Sequence, residues 1–564
     1  MTAPVAPAAP VVTERPARGR RFGRPGWVAA PVVVALLAIA PVAMLATSIL
    51  RPNGEVWRQQ WETRLPDQIV TTLVLTGGVV VCSIALGVAL AWLVAAHRFP
   101  GRGVLSWALV LPLAMPSYIL GFVTTATFGV AGPLQTWWRD QFGRDAWFPE
   151  IRSLPGAIVT LTLTLYPYVY LLARAALRDQ AATAALVART LGASRAEATR
   201  RVVVPMLRPA IAAGAAIVAM ETLTDFATVQ YFDQETVTVG VFRIWRGTYD
   251  RDAASEIATL VLVLALFAIG LERVLRGRAR FAESGGEAHH TEPLQLRGWR
   301  GLAATGAATL VVALAFLAPV VRLVTWAIEE QRSTRGTPMI SRYADFLGNS
   351  LTLTAVTVGI CLVAAVMVAN ARRFTSVPLV GVANRISIVG YAVPGPVVAM
   401  GVVLALVGLD DVLEGLGTGL PGFAATGSFI ALAYAYSIRF LAPGMTTIEA
   451  GIAQVPTEVT ASAQSLGARP RAVVGRIHLP LARTSVLAAA ILVGVDALKE
   501  LPIAYLLRPV GFDTLPVWVY DLASESRFEQ AALPALTIIA VALIPVAMLS
   551  RHLDHPLPTA LPIT

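Results

Sequence analysis

Long apolar runs alternate with short charged connections along the whole chain. Runs long enough to span a hydrocarbon core about 30 Å thick lie near 27–50, 69–95, 104–130, 155–178, 207–231 and 255–275. A second set lies near 301–327, 349–370, 380–408, 424–446, 483–507 and 530–550. The pattern predicts an all-α, polytopic membrane protein of about twelve transmembrane helices. The first run follows 26 residues of chain and is too long for a signal-peptide core, so it reads as a retained helix. Residues 277–299, with Gly285, Gly286, His289 and His290, read as a solvated linker. They divide the chain into a first half, 27–276, and a second half, 300–552, with tails at 1–26 and 553–564.

Composition agrees. Hydrophobic residues are 56% of the 564 and charged residues 14%, against roughly a quarter charged in a soluble domain, and the mean hydropathy is +0.65. Such a chain cannot cover a soluble surface with polar groups, so the bilayer is its partner. The net charge of +10 needs no nucleic acid. It sits in alternate connections: Arg15, Arg18, Arg20, Arg21 and Arg24 in the first tail, then Arg98 and Arg102, Arg174 to Arg201, Arg273 to Arg280, and Arg372, Arg373 and Arg385. By the positive-inside rule these faces, and both termini, are expected to be cytoplasmic in a cell membrane. Cys82 and Cys361 stand alone in apolar runs and read as small hydrophobes.

The halves repeat. Leu191-Gly192-Ala193 aligns with Leu466-Gly467-Ala468, Arg201 with Arg476, Pro205 with Pro480, Glu221 with Asp496 and Asp225 with Glu500, all at an offset of 275. Pro116 and Pro394 correspond at an offset of 278. Because each half has six spans and starts on the same side, the repeats are parallel.

The connection after the fourth span of each half, 181–205 and 456–480, is long and amphipathic. Gly192 breaks a helical pattern, and Ser194 with Glu197 forms a capping box that starts a new helix, which Pro205 is expected to stop. In the second half Gly467 makes the break, Pro470 suits the first turn, and Pro480 is expected to end the helix. The chain thus resembles the permeases of ABC importers, whose EAA loop has this Gly-to-Pro spacing. The acid that the pattern carries six residues before the glycine is replaced by Leu186 and Ala461. The resemblance implies a type I importer fold. It implies elbows (Gly192, Ala193, Ser194, Glu197, Arg201 and Pro205; Gly467, Ala468, Arg471, Arg476 and Pro480) that dock two copies of a cytoplasmic ABC ATPase. Residues Glu221 to Phe232 and Asp496 to Leu515 further resemble ferric-iron permeases, which implies an extracytoplasmic binding protein that delivers ferric iron. Thiamine and phosphonate permeases share parts of these elements, so another small solute stays open, as does a twelve-span secondary transporter.

Ionisable groups within spans default to a functional role. Glu221 and Asp225 lie four apart on one helical face, and Asp496 and Glu500 repeat them. Glu221 is sixteen residues past Pro205, or ~24 Å of helix rise, in the outer half of the membrane. Lys499, the only lysine, adjoins Glu500. These five residues are expected to line the pathway or close an outer gate through ion pairs between the halves, or else only to tie helices together. The four acids are also candidates for transient contact with Fe³⁺, but no resident metal site is expected. Tyr231, Trp245, Tyr249, Trp518 and Tyr520, in the outer segments, suit either a binding-protein surface or an interfacial aromatic belt. The chain carries no G-x-x-x-x-G-K-[ST], nucleophile elbow, zinc or dinucleotide signature, so no catalysis and no bound cofactor are expected, and ATP belongs to the partner.

Overall fold

The computed structural model describes residues 25–48, 54–178, 182–248, 251–276, 294–333, 338–415 and 427–554. The arginines of the first tail before Pro25, His289, His290 and Tyr249 lie outside the described residues. Among the described residues, ten helices are long and apolar enough to cross a bilayer, and the bent pair Pro470–Leu481 and Arg483–Lys499 supplies an eleventh. They occupy the expected places except the tenth. There stands Phe429–Ala453, 25 residues long with Arg439 near its middle.

The third and ninth spans are not continuous helices. The third is Arg102–Ala108, a 3-10 turn Leu111–Ala114, and Ser117–Phe128. The ninth is Pro378–Ser387, a 3-10 turn Val389–Ala392, and Gly395–Gly415. Both break before proline: Met115 (φ −93°, ψ 106°) precedes Pro116, and Val393 (φ −99°, ψ 129°) precedes Pro394. Proline has no N–H and its ring forces the preceding residue to extend. Backbone groups freed inside a membrane must find partners in the protein, and the fourth and tenth spans provide them. Tyr166 donates to the Leu109 carbonyl at 2.9 Å, while Tyr170 and Arg174 donate to that of Ser106 at 2.8 and 3.0 Å. In the second half, Arg439 donates to the carbonyls of Tyr391 and Val393 at 2.9 and 2.5 Å.

The halves exchange their first spans. Pro25–Ser48 packs on the eighth and ninth spans of the second half. A Cβ at Gly401 would overlap the Pro41 carbonyl, and the Tyr434 hydroxyl donates to the Leu37 carbonyl at 2.7 Å. The seventh span, Trp299–Val312 continued by a π turn into Ala318–Ser333, packs on the third span and the twelfth, Phe528–Asp554. There Trp326, Phe122 and Phe528 cluster with near-parallel rings, each pair of centroids 5.5–6.2 Å apart.

The linker is shorter than 277–299. Residues Leu294–Gln295 already pair in parallel with His97–Arg98, and Trp299 begins the seventh span. The Leu296 N–H donates to the Arg98 carbonyl at 2.8 Å and the Thr305 hydroxyl to that of Pro100 at 2.7 Å. Cys361 is buried, its thiol 3.5 Å from the Ser437 carbonyl, whereas Cys82 is exposed on its helix.

Candidate functional site: two elbows and a cavity between the halves

The two elbows share one local geometry. Helix Ala182–Thr190 ends at Gly192 (φ +92°) and helix Thr457–Ser465 at Gly467 (φ +81°). In the first, the Ala193 N–H donates to the Ala188 carbonyl and the Gly192 N–H to that of Arg189; in the second, Ala468 donates to Ala463 and Gly467 to Gln464. This is a Schellman cap, and its positive φ is why glycine stands there. The next helices start as the sequence predicts. The Glu197 N–H donates to the Ser194 hydroxyl at 3.2 Å, and Pro470 occupies the first turn after Arg469. Glu197 also pairs with Arg201 at 2.8 Å, and Arg471 and Arg476 are exposed. The leucine before each glycine is strongly exposed: Leu191 at 83% and Leu466 at 90%.

The expectation that Pro205 stops its helix is wrong. A π turn, Thr199–Val203, precedes it, and the helix continues to Thr224. The Val204 N–H reaches back five residues to Thr199, and the widened turn relieves the clash of the proline ring with the carbonyl behind it. In the second half a matching π turn, Val474–His478, precedes Pro480, but the chain then bends by 79° at Ala482. There Pro480 does stand next to the last residue of a helix, Leu481.

The fifth and eleventh spans end alike. Asp225 (φ −73°, ψ 121°) and Glu500 (φ −68°, ψ 122°) both leave the helix in extended conformation. The chain restarts in Ala227–Tyr231 and Pro502–Leu507. Each acid caps the short helix after it: Asp225 accepts from the Thr228 N–H at 2.8 Å, and Glu500 from the Ile503 N–H at 3.2 Å. Each also meets the break in its own half. Ser117, just after Pro116, donates to Asp225, and a Cβ on Gly395, just after Pro394, would come within 3.1 Å of the Glu500 carboxylate.

These breaks converge on a cavity of about 110 Å³. Its polar walls are Ser117, Tyr118, Glu221 and Asp225 from the first half and Arg439, Lys499 and Glu500 from the second. Among the described residues one ion pair crosses between the halves, Glu221 to Arg439 at 3.9 Å. Lys499 does not pair with Glu500 or across the halves. It holds Asp496, one turn back on its own helix, at 2.8 Å. Asp496, together with the other side of Lys499, faces a second, larger and mostly apolar cavity of about 360 Å³, lined by Tyr168, Tyr391, Ile491 and Ala542 among others. It follows the eleventh span back toward the elbows.

On the other side of the charged cavity, aromatic rings close the space between the halves. Phe226 stacks on Phe242 with centroids 3.6 Å apart, and lies 5.4 Å from Tyr505 and 5.3 Å from Tyr520. Tyr231 is 5.8 Å from Tyr520, whose hydroxyl donates to Gln230 at 2.5 Å. Tyr231 and Tyr520 therefore serve neither as an exposed docking surface nor as a lipid belt, and Trp518 packs edge-on against Phe346. Among the described residues no three His, Cys, Asp or Glu side chains converge on a metal-sized point. The sequence reading missed Arg439, although an arginine inside an apolar run was signal enough.

Two six-span repeats with broken helices, meeting at a charged cavity, define a multi-pass membrane permease. The chain belongs to the family described as binding-protein-dependent transport system inner membrane component, which matches residues 83–280 and 361–555. It is similar to the Fe(3+)-transport system permease protein FbpB 2 of Haemophilus influenzae, 24% identical over 87% of this chain and 90% of that one. It is also similar to the sulfate transport system permease protein CysT of Salmonella typhimurium, 27% identical over 43% of this chain and 89% of that one. Among solved structures, a bacterial alginate ABC transporter in complex with an alginate pentasaccharide-bound periplasmic protein is 18% identical, with a TM-score of 0.33, over 45% of this chain and 93% of that one. Membership in the family removes the secondary-transporter reading.

Proposed function

We propose that this chain is the membrane permease of an ATP-driven importer whose substrate is ferric iron, handed over by an extracytoplasmic binding protein. The observation that carries the substrate is the length of the match to the Fe(3+) permease, which runs through both fused halves. The four acids of the inter-half region support it: Glu221, Asp225 and Glu500 line the charged cavity and Asp496 the next one, and carboxylate oxygens suit a hard cation in transit. The elbows, with Leu191 and Leu466 exposed beside the Schellman caps, each receive one copy of a cytoplasmic ATPase. Both termini are then cytoplasmic. The aromatic layer is the outer gate, closed here, and the apolar cavity leads toward the cytoplasm. ATP-driven closure of the ATPases rocks the halves, parts the aromatic layer and admits the substrate to the charged cavity.

The test is uptake of radiolabelled Fe³⁺ into proteoliposomes that hold the chain, its ATPase and its binding protein. ATP-dependent uptake that is lost with Gly192→Val/Gly467→Val supports the reading. ATP-driven uptake of sulfate, molybdate, thiamine or a phosphonate with no iron uptake overturns the substrate, and uptake without an ATPase overturns the class.

A further inference from the structure

We infer that His478 is a positioning residue that locks the second elbow to the eighth and tenth spans, so that the two elbows transmit ATPase movement unequally. This rests on the proposed docking of an ATPase at the elbows. His478 closes the π turn of the second elbow, and its side chain is fully buried. Its Nδ1 lies 2.5 Å from Asn370 Oδ1, on the eighth span, and its Nε2 lies 2.9 Å from Thr460 Oγ1, on the helix before Gly467.

The surrounding bonds fix the proton positions. Asn370 spends its amide N–H on the Val366 carbonyl at 2.8 Å, so its oxygen accepts and His478 Nδ1 carries the hydrogen. A neutral imidazole then has Nε2 free to accept from the Thr460 hydroxyl. Thr460 in turn accepts from Arg373 at 3.4 Å. The chain runs one way, Arg373 to Thr460 to His478 to Asn370 to the backbone, and each bond polarises the next. Arg373 also donates to the carbonyls of Ile452 and Val455, both at 2.5 Å, where the tenth span ends. Phe374 stacks on the imidazole with centroids 5.9 Å apart, and Trp27 of the exchanged first span lies 4.9 Å from Phe374. The ring thus ties the elbow directly to the eighth span, through Thr460 and Arg373 to the end of the tenth, and through Phe374 to the first span.

The first elbow lacks the two side chains at the centre of this chain of bonds. At the offset of 275, Val203 stands for His478 and Ala185 for Thr460. Val203 is buried in the hydrophobic core, and its side chain has no hydrogen-bonding atom. Hydrogen bonds have a fixed direction, whereas apolar contact lets surfaces slide. A stroke at the second elbow therefore moves the eighth span as a rigid lever. At the first elbow the straight helix through Pro205 carries the stroke along its own axis.

The experiment uses the full chain with its ATPase in proteoliposomes and measures substrate taken up per ATP hydrolysed. His478→Val, which copies the first half, is expected to lower that ratio about fivefold or more, with the ATPase still bound and still hydrolysing. Thr460→Val and Asn370→Leu should lower it in the same direction. His478→Gln, which keeps an acceptor for Thr460, should recover part of it, and Val203→Ala in the first elbow should change it less than about twofold. If His478→Val fails to accumulate, Thr460→Val, which removes one hydroxyl, carries the same test. An unchanged ratio in His478→Val or Thr460→Val, or an equal loss in Val203→Ala, overturns the inference. Failure of the unaltered chain to retain an ATPase overturns the docking proposal instead, and the inference with it.

Discussion

Arg439 does two things at once, and a double-mutant cycle separates them. Its side chain is 6% exposed, its Nη1 holds the carbonyls of Tyr391 and Val393, and its Nη2 lies 3.9 Å from Glu221. Arg439→Met removes the donor for two carbonyls at a helix break, at about 1–3 kcal/mol each. It also leaves the Glu221 carboxylate without its partner. At 3.9 Å and an effective dielectric of about 20 the gross attraction is about 4 kcal/mol, and water reaches Glu221, which is one-third exposed. A net coupling of about 1–2 kcal/mol is expected, and about 3–8 kcal/mol in all for Arg439→Met. Glu221→Gln alone should cost about 1 kcal/mol or less, because the carbonyl bonds to Arg439 remain. The double variant should be more stable than the sum of the singles predicts by the coupling energy. Unfolding free energies of the four proteins in mixed micelles measure this. A coupling below about 0.5 kcal/mol would refute the cross-half pair, and a loss below about 1 kcal/mol for Arg439→Met would refute the carbonyl clamp.

The elbow glycines face open space, so substitution there reports backbone strain alone. Gly192→Val and Gly467→Val should each cost about 1–2 kcal/mol and weaken retention of the ATPase on affinity purification, while asparagine, which tolerates positive φ, should be nearly neutral; equal behaviour of the two residues would contradict this. Gly401→Ala should destabilise by about 1–3 kcal/mol, since its Cβ meets the Pro41 carbonyl. Gly359→Ala, in the eighth span with nothing near it, should be neutral or stabilising, and a melt of both variants tests the exchanged packing of the first span. Outside the spans, hydrogen bonding from Arg243 holds the Glu235 carboxyl below its usual range. Stability from this pair is therefore present above about pH 4.3 and lost as pH falls through the lowered value. The pair is half-exposed and contributes under about 1 kcal/mol, and Arg243→Gln should remove this pH dependence from an acid-unfolding curve.

The span places were legible because bilayer thickness sets the length of an apolar run, and the elbow glycines because the pattern occurs twice. The breaks at Pro116 and Pro394 carried a signal, since proline forbids a continuous ladder, but two prolines inside long apolar runs read as parts of single spans. The sequence reading left the partner of Lys499 open, although helix geometry chooses one. Adjacent residues on a helix point about 100° apart, and residues three apart share a face, which favours Asp496 over Glu500. Arg439 has no repeated charge to mark it: at the offset of 275 its counterpart is Thr164. Exchange of the first spans between the halves leaves no mark on periodicity at all. It depends on which apolar face meets which, as in the fit of Gly401 against Pro41.

The cavity exists because both halves break the same two helices and bring the breaks together. A continuous helix satisfies its own backbone and offers a pathway only side chains. A broken one exposes carbonyls that must be bound, and here Arg439 binds two of them while its other nitrogen reaches Glu221 in the opposite half. The same guanidinium therefore stabilises the break and senses the distance between the halves. Separation of the halves would leave Glu221 facing the cavity without its partner, yet keep the clamp on the ninth span intact. In the import cycle proposed above, parting of the halves would free the Glu221 carboxylate in the cavity that Asp225 and Glu500 already line.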